Sequence, residues 1–226
     1  MAGILYGVGV GPGDPELMTL KAVKVIKESD IIMVPGEVVE NSVAYKIAIG
    51  AVNLKEKKII AISMPMTKEK EVLERAHDEA AKCIMSYLKD KKQVAFLTLG
   101  DPCVYSTYIY VHKRILLKGY TAKIISGIPS FCAAAALVND SLVEKSEPLH
   151  ILPASYDIKE ALKLSGTKVL MKSGKKMANV KNELKEYNYD VVMVENCGME
   201  QEKVHYGAEN IDENAGYYSL IIAKDR

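Results

Sequence analysis

The chain has 226 residues, 49% of them hydrophobic and 26% charged, with a formal net charge of +1 at pH 7. That length suits one large α/β domain or two smaller ones, and the near-zero charge gives no reason to expect a nucleic-acid or anionic-membrane partner. A cytoplasmic protein is expected: no apolar run approaches the roughly 20 residues of a membrane span, no basic n-region marks a secretory signal, and Cys83, Cys103, Cys132 and Cys197 are too scattered for a disulfide frame or a zinc site.

Ile4 to Val10 reads as a short apolar strand running into Gly9-Val10-Gly11-Pro12-Gly13-Asp14-Pro15, an irregular loop whose backbone can lie against a ligand. A dinucleotide fingerprint starting at Gly7 would need glycine where Pro12 stands. Pro12 also removes an N–H that a pyrophosphate would use, which weighs against a nicotinamide cofactor. Asp14 reads first as a cap for a helix from about Pro15, and second as a candidate catalytic base. Thr19 to Ser29 is a helix, with Leu20, Val23 and Ile26 at spacings of three, and Asp30 to Val34 is the next strand. Ser42 to Val52 and Lys58 to Ser63 repeat the alternation. Glu69 to Asp90 is a long amphipathic helix whose apolar stripe is read as Val72, Ala76, Ala80, Cys83 and Tyr87.

Gln93 to Leu99 is a buried strand that breaks at Gly100-Asp101-Pro102 before a helix from Tyr105 to Leu117. The chain leaves the sheet there with exposed main-chain groups and a carboxylate, at the strand end where open α/β sheets bind ligands. Lys123 to Ile125 is a fifth strand, Ser126-Gly127-Ile128-Pro129-Ser130-Phe131 a turn, and Cys132 opens a helix of very small residues. Strands alternating with helices at this spacing give a mostly parallel sheet with right-handed crossovers. The pattern turns polar near Val143 to Pro148, which predicts domains over 1–145 and 146–226. In the second, Leu149 to Leu152, Thr167 to Met171 and Asp190 to Val194 are strands, with helices over Ile158 to Leu164 and Lys175 to Tyr187. Lys203 to Tyr206 and Tyr217 to Ala223 follow without clear helices, so this half ends in antiparallel strands and a mixed sheet.

Several chemistries fall away. Gly174-Lys175 lacks the first glycine and the Ser or Thr of a P-loop, and no nucleophile elbow is present. His77, His112, His150 and His205 show no metal spacing. What remains are three glycine/proline loops after the first, fourth and fifth strands. A pocket of carbonyls, few charges and one carboxylate suits a ligand such as S-adenosylmethionine. Carbonyl oxygens can surround its sulfonium, and Asp101 can accept from hydroxyl or amine groups. Methyl transfer from it needs alignment more than acid–base equipment.

Val8-Gly9-Val10-Gly11-Pro12-Gly13-Asp14-Pro15, Gly100-Asp101-Pro102 and Ser126-Gly127-Ile128-Pro129-Ser130-Phe131 resemble the three ordered signatures of the tetrapyrrole (corrin/porphyrin) methylases. Glu195-Asn196-Cys197-Gly198 and Gln201 resemble the family's C-terminal segment. The resemblance runs end to end and implies two α/β domains of the class III S-adenosylmethionine methyltransferase type. Tyr105-Ser106-Thr107-Tyr108, Ser130-Phe131-Cys132-Ala133-Ala134 and Leu152-Pro153-Ala154 look most like the precorrin-2 C20-methyltransferases of cobalamin synthesis. Pro129, where the family usually has Thr, is a departure that removes a hydroxyl and an N–H. The resemblance places the cofactor in a trough between the domains, against Pro12, Leu99, Gly100, Asp101, Val104, Ser106, Thr107, Pro129 and Ser130 of the first and Met171, Cys197 and Ser219 of the second. It implies a polycarboxylate tetrapyrrole substrate, with Tyr108, His112, Lys172, Lys175 and Lys176 as candidates to meet its carboxylates, and a homodimer. Other methylases of the class (C11, C17, uroporphyrinogen, or the diphthamide enzyme) and a non-catalytic adenine-nucleotide module stay open.

Overall fold

The computed structural model describes residues 2–155 and 157–225. The chain forms two compact units, Met1–Pro129 and Ser130–Arg226.

The first unit alternates β1 (Ile4–Gly9), α1 (Leu20–Glu28), β2 (Ile31–Pro35), α2 (Val43–Ala51), β3 (Lys58–Ile62), α3 (Lys70–Lys89), β4 (Val94–Thr98), α4 (Tyr108–Leu117) and β5 (Thr121–Ile125). Its five strands are all parallel in the order β3-β2-β4-β1-β5, so every strand's C-terminal end lies on one edge. Strands buried on both faces read as continuous apolar runs, and β4 is buried along its whole length. Alternate residues of β4 serve opposite faces. Ala95 and Leu97 join Ile26, Ile32 and Ala48 under α1 and α2, whereas Val94 and Phe96 join Ile84, Leu88, Tyr108 and Ile115 under α3 and α4. Thr19 caps α1, its hydroxyl accepting from the Ala22 N–H at 3.1 Å.

The buried face of α3 is His77, Ala80, Ala81, Ile84 and Leu88, not the stripe read from the sequence. Of that stripe only Ala80 is buried, Cys83 and Tyr87 lie on its flank, and Val72 is 37% exposed. The difference is one position of rotation. It lets the fully buried Ile84 and Leu88 remove more apolar area from water than Cys83 and Tyr87 could.

The second unit holds α5 (Ser130–Leu137), β6 (Leu149–Pro153), α6 (Lys159–Leu162), β7 (Thr167–Met171), α7 (Met177–Lys185), β8 (Tyr189–Glu195), β9 (Lys203–Tyr206) and β10 (Ser219–Asp225). The sheet is mixed, in the order β6-β7-β10-β8-β9, with β6 and β7 parallel and β10 antiparallel to both β7 and β8. Leu162, Leu170, Val180, Leu184, Met193 and Ile221 form its core. The small-residue helix α5 belongs with this unit rather than with the strands before it. Ala135 and Val138 line one small cleft with Val192 and Ile222. Just beyond α5, Thr167 donates to the Leu142 carbonyl at 2.6 Å and Lys224 reaches Asp140 at 2.9 Å.

Candidate functional site

In the first unit β4, β1 and β5 are consecutive in the sheet, so the loops that follow them meet at its C-terminal edge. They are bound to one another through main chain. The Gly100 N–H donates to the Gly11 carbonyl at 2.7 Å, the Gly11 N–H returns to the Gly100 carbonyl at 3.3 Å, and Val10 donates to Thr98 at 3.0 Å. The approach is too close for side chains. A Cβ on Gly9 would stand 2.5 Å from the Gly100 oxygen and 2.6 Å from the Gly127 nitrogen, and one on Gly127 would stand 2.2 Å from that same oxygen. Gly11 and Gly100 also carry φ of +79° and +68°, a region that disfavours a Cβ.

Asp101 completes this knot. It is 9% exposed, with one carboxylate oxygen accepting from the Cys103 N–H at 2.7 Å and the other from the Gly127 N–H at 2.9 Å. The carboxylate thus ties the loop after β4 to the loop after β5, where the sequence suggested an acceptor for ligand hydroxyl or amine groups. Ser106 closes the loop from its far end, lying 3.0 Å from the Thr98 hydroxyl and accepting from the Tyr108 N–H at 3.3 Å. Between them Tyr105 sits at φ +48°, a conformation disfavoured for a bulky residue. Pro12 is buried, Leu99, Val104, Ser106 and Pro129 are half-buried, and Thr107 is exposed. Ser130, the first residue of α5, is counted with the second unit. The cofactor residues expected in the first unit therefore sit on the loops after β1, β4 and β5, with main chain, the Ser106 and Thr107 hydroxyls and the satisfied Asp101 carboxylate as their polar content. The expected set omits Gly9 and Gly127, whose missing side chains allow the knot. Their signal in the sequence is a glycine at or just past the end of each of two neighbouring strands.

Asp14 caps the 3₁₀ turn Pro15–Leu17, accepting from the Glu16 N–H at 2.8 Å. That is the first of its two sequence readings. Tyr108 is not at the surface. It is fully buried, its ring lies against Phe96 and its hydroxyl is 3.0 Å from His112 Nδ1. Burial holds the phenol well above its ordinary pKa, with a Gly7 backbone hydrogen bond offsetting part of that shift, so the hydroxyl keeps its proton and can donate it to His112. Burial lowers the His112 pKa, which favours the neutral ring as acceptor. Tyr108 is a core residue here and is closed to a substrate carboxylate.

In the second unit the register gathers Met171, Cys197 and Ser219 at one end of the sheet. Leu220 pairs with Met171, Ser219 pairs with Glu195, and Asn196 donates to the Tyr218 carbonyl at 2.8 Å. Met171 and Cys197 are half-buried, and Ser219 is 8% exposed with its hydroxyl donating to the Gly216 carbonyl at 2.8 Å. Burial, aided by Glu202, pushes the Cys197 thiol up to about 11, so it is protonated at neutral pH and serves as a small apolar surface rather than a nucleophile. The buried Glu195 is held by His205 Nε2 at 2.8 Å. Lys172 follows Met171 directly and is half-buried, Lys176 is exposed, and the Lys175 side chain falls outside the described residues. Among the described residues no cluster of His, Cys, Asp and Glu side chains could hold a metal ion, and no helix is long and apolar enough to cross a membrane.

Comparison with known proteins gives a consistent picture. Residues 4–210 match the family described as Tetrapyrrole (Corrin/Porphyrin) Methylases. A probable cobalt-precorrin-2 C(20)-methyltransferase of Methanocaldococcus jannaschii is 38% identical, the alignment covering 97% of this chain and 95% of that one. A precorrin-2 C(20)-methyltransferase of a Sinorhizobium species is 28% identical over 99% of this chain and 97% of its own. The solved uroporphyrin-III C-methyltransferase of Thermus thermophilus, complexed with S-adenosylhomocysteine, has the same fold, with a TM-score of 0.69, 19% identity and coverage of 98% and 97%.

Proposed function

The chain belongs to the tetrapyrrole (corrin/porphyrin) methylases, and from that premise we propose that it transfers the methyl group of S-adenosylmethionine to C20 of precorrin-2 or of its cobalt-containing form, a step of cobalamin biosynthesis. The observation that carries the reading is the knot of strand-end loops in the first unit. Gly9 and Gly127 bring their main chains to the Gly100 carbonyl within a distance that a side chain on either would not permit. The result is a surface of carbonyls and N–H groups whose one carboxylate is already occupied. Such a surface suits a cofactor that carries a sulfonium, an adenine and a ribose, because carbonyl dipoles stabilise the cation without a counter-charge competing for it.

When bound, S-adenosylmethionine supplies an electrophilic methyl whose departure leaves a neutral thioether. The protein's task is then alignment and exclusion of water, which can account for most of the acceleration in a reaction of this kind. In this reading Pro12, Leu99, Gly100, Val104, Ser106, Thr107 and Pro129 hold the cofactor from the first unit's loops. Asp101 acts behind them by fixing the loops after β4 and β5. Ser130, Met171, Cys197 and Ser219 are its further contacts, with Met171 and the protonated Cys197 offering soft, weakly polar surface. Asp14 has a structural part in this reading, capping the turn Pro15–Leu17. We place the enzyme in the cytoplasm as a homodimer.

The test is anaerobic incubation with S-adenosylmethionine and either metal-free precorrin-2 or cobalt-factor II, followed by mass and absorbance. A gain of one methyl on the cobalt ring alone assigns a metal-containing substrate, and a gain on the free ring alone assigns a metal-free one. Binding of S-adenosylmethionine with transfer to neither ring would overturn the substrate while leaving the family in place.

A further inference from the structure

Among the described residues, Tyr105 is the aromatic one in the left-handed region of backbone space, at φ +48°. The others that lack the freedom of glycine are polar: Asn139 and Asn196, for which the conformation is ordinary, and lysines and a glutamine. Where the same knot of loops needs this region elsewhere it uses glycine, at Gly11 and Gly100. A glycine at 105 would make the turn at lower cost, and strain that persists at a strand-end loop points toward function.

The surroundings show what imposes the turn and which way it aims the ring. On one side the Asp101 carbonyl accepts from the Val104 N–H at 3.2 Å, while its carboxylate holds the Cys103 and Gly127 N–H groups. On the other, the Ser106 hydroxyl lies 3.0 Å from that of Thr98, and the Ser106 carbonyl accepts from the Ile109 N–H at 3.4 Å. Tyr105 joins these two anchored ends. Burial alternates along the segment: Cys103, Tyr105 and Thr107 are exposed, Val104 and Ser106 are half-buried, and Tyr108 is fully buried. Tyr105 thus belongs to the outward row, 41% exposed, and neither hydrophobic cluster described for the first unit includes it. The sheet edge continues past β4 with β2 and β3, and the chain beyond those strands carries the exposed Val38 and Met66.

We propose that Tyr105 is the platform for the methyl acceptor, its ring lying against the face of the tetrapyrrole macrocycle. The proposal rests on the function given above. The acceptor is a broad, partly conjugated ring whose carboxylates lie at its rim, so its face offers apolar and π contact. A tyrosine meets such a face with a large rigid surface and few rotatable bonds. The main chain of the knot supplies the cofactor's polar contacts, whereas the anchored turn turns this one aromatic side chain outward. Because the turn is fixed at both ends, the ring's place is fixed before the acceptor arrives, which serves alignment of the acceptor carbon with the methyl. Tyr105 makes and breaks no bond and moves no proton in this role.

The test compares wild type with Tyr105→Phe, Tyr105→Ala, Tyr105→Gly and, as a control, Leu117→Ala, which truncates an exposed apolar residue at the end of α4. Anaerobic absorbance titrations give the dissociation constants of precorrin-2 and cobalt-factor II on enzyme loaded with S-adenosylhomocysteine, and calorimetry gives that of S-adenosylmethionine. Tyr105→Ala and Tyr105→Gly are expected to weaken binding of the acceptor ring by about tenfold, with the cofactor constant unchanged within about twofold. Tyr105→Phe, which keeps the ring face and loses the hydroxyl, should bind the acceptor within about twofold of wild type, as should Leu117→Ala. The alanine variant keeps the strained turn and the glycine variant relaxes it, so equal losses in the two assign the effect to the missing ring. Wild-type binding in Tyr105→Gly alone would assign it to the turn and overturn the platform. Unchanged acceptor binding in both variants, a loss confined to the cofactor, or a Tyr105→Phe as weak as Tyr105→Ala would also overturn it. Should Tyr105→Ala fail to fold, Tyr105→Gly, whose backbone accepts the turn, decides together with Tyr105→Phe. A wild type that binds the acceptor ring but transfers no methyl would count against the proposed function and not against the platform.

Discussion

The decisive residues of the first unit are those with the least side chain. Gly127→Ala puts a Cβ 2.2 Å from the Gly100 oxygen, and the backbone must move to accept it, at about 1–3 kcal/mol of strain. Because that strain falls on the loops assigned to the cofactor, S-adenosylmethionine affinity should drop about tenfold or more by calorimetry, with circular dichroism unchanged. An unaltered dissociation constant would separate the knot from cofactor binding. Asp14 gives the opposite expectation. Asn caps as well as Asp, so Asp14→Asn should turn over within about twofold of wild type, and Asp14→Ala should lose about 1 kcal/mol of stability by denaturant melt. A large loss of kcat in Asp14→Asn with intact cofactor affinity would return the residue to acid–base chemistry. Asp101 was legible as important from its place in a Gly-Asp-Pro corner. Its actual partners, the N–H groups of Cys103 and Gly127, were not, because nothing in the local sequence brings residue 127 beside residue 101.

At the scale of elements, the order and type of every long segment could be read from periodicity and glycine/proline punctuation, including the mixed second sheet. What escaped was rotation and ownership. The face of α3 is decided by which residues find Phe96 and Ile115 across from them, and α5 is grouped with the second unit, its Ala135 lining a cleft with Val192 of β8 and Ile222 of β10, which no stretch of its own sequence announces. The second sheet is also closed by an interaction that local pattern hides. Lys168 is fully buried, its Nζ 2.6 Å from Asp225 and 4.3 Å from the centre of the Tyr189 ring. Removing the partner of a buried charge costs roughly 3–5 kcal/mol; since the Asp225 side chain is 44% exposed, Asp225→Asn should cost about 2 kcal/mol in the second unit's unfolding transition. Lys168→Met, which removes the charge and keeps the volume, should cost less, and a larger loss than in Asp225→Asn would contradict this reading. Burial raises the Asp225 pKa, but the Lys168 ammonium and the Gly166 N–H outweigh it and hold the carboxyl below its ordinary range. Its contribution is therefore present above the unfolded carboxylate value of about 3.9 and is lost as pH falls through the lower folded value.

For the whole molecule, function follows from what the strand ends offer. The first unit offers a main-chain surface that is almost without charge, and the second offers Met171, Cys197 and Ser219 at the edge where Lys172 emerges. The three glycine/proline loops could be singled out as a candidate site before any fold was known, because glycine, proline and an isolated carboxylate at strand ends favour main-chain recognition. Met171 and Cys197 carry no such mark and would pass for ordinary sheet residues. The central claim is that this equipment directs a methyl group to one meso carbon of the ring. The measurement that tests it most directly is carbon NMR of the product made anaerobically with S-adenosylmethionine labelled in its methyl carbon. The account predicts a single labelled methyl bonded to C20. A labelled methyl on any other ring carbon would contradict it.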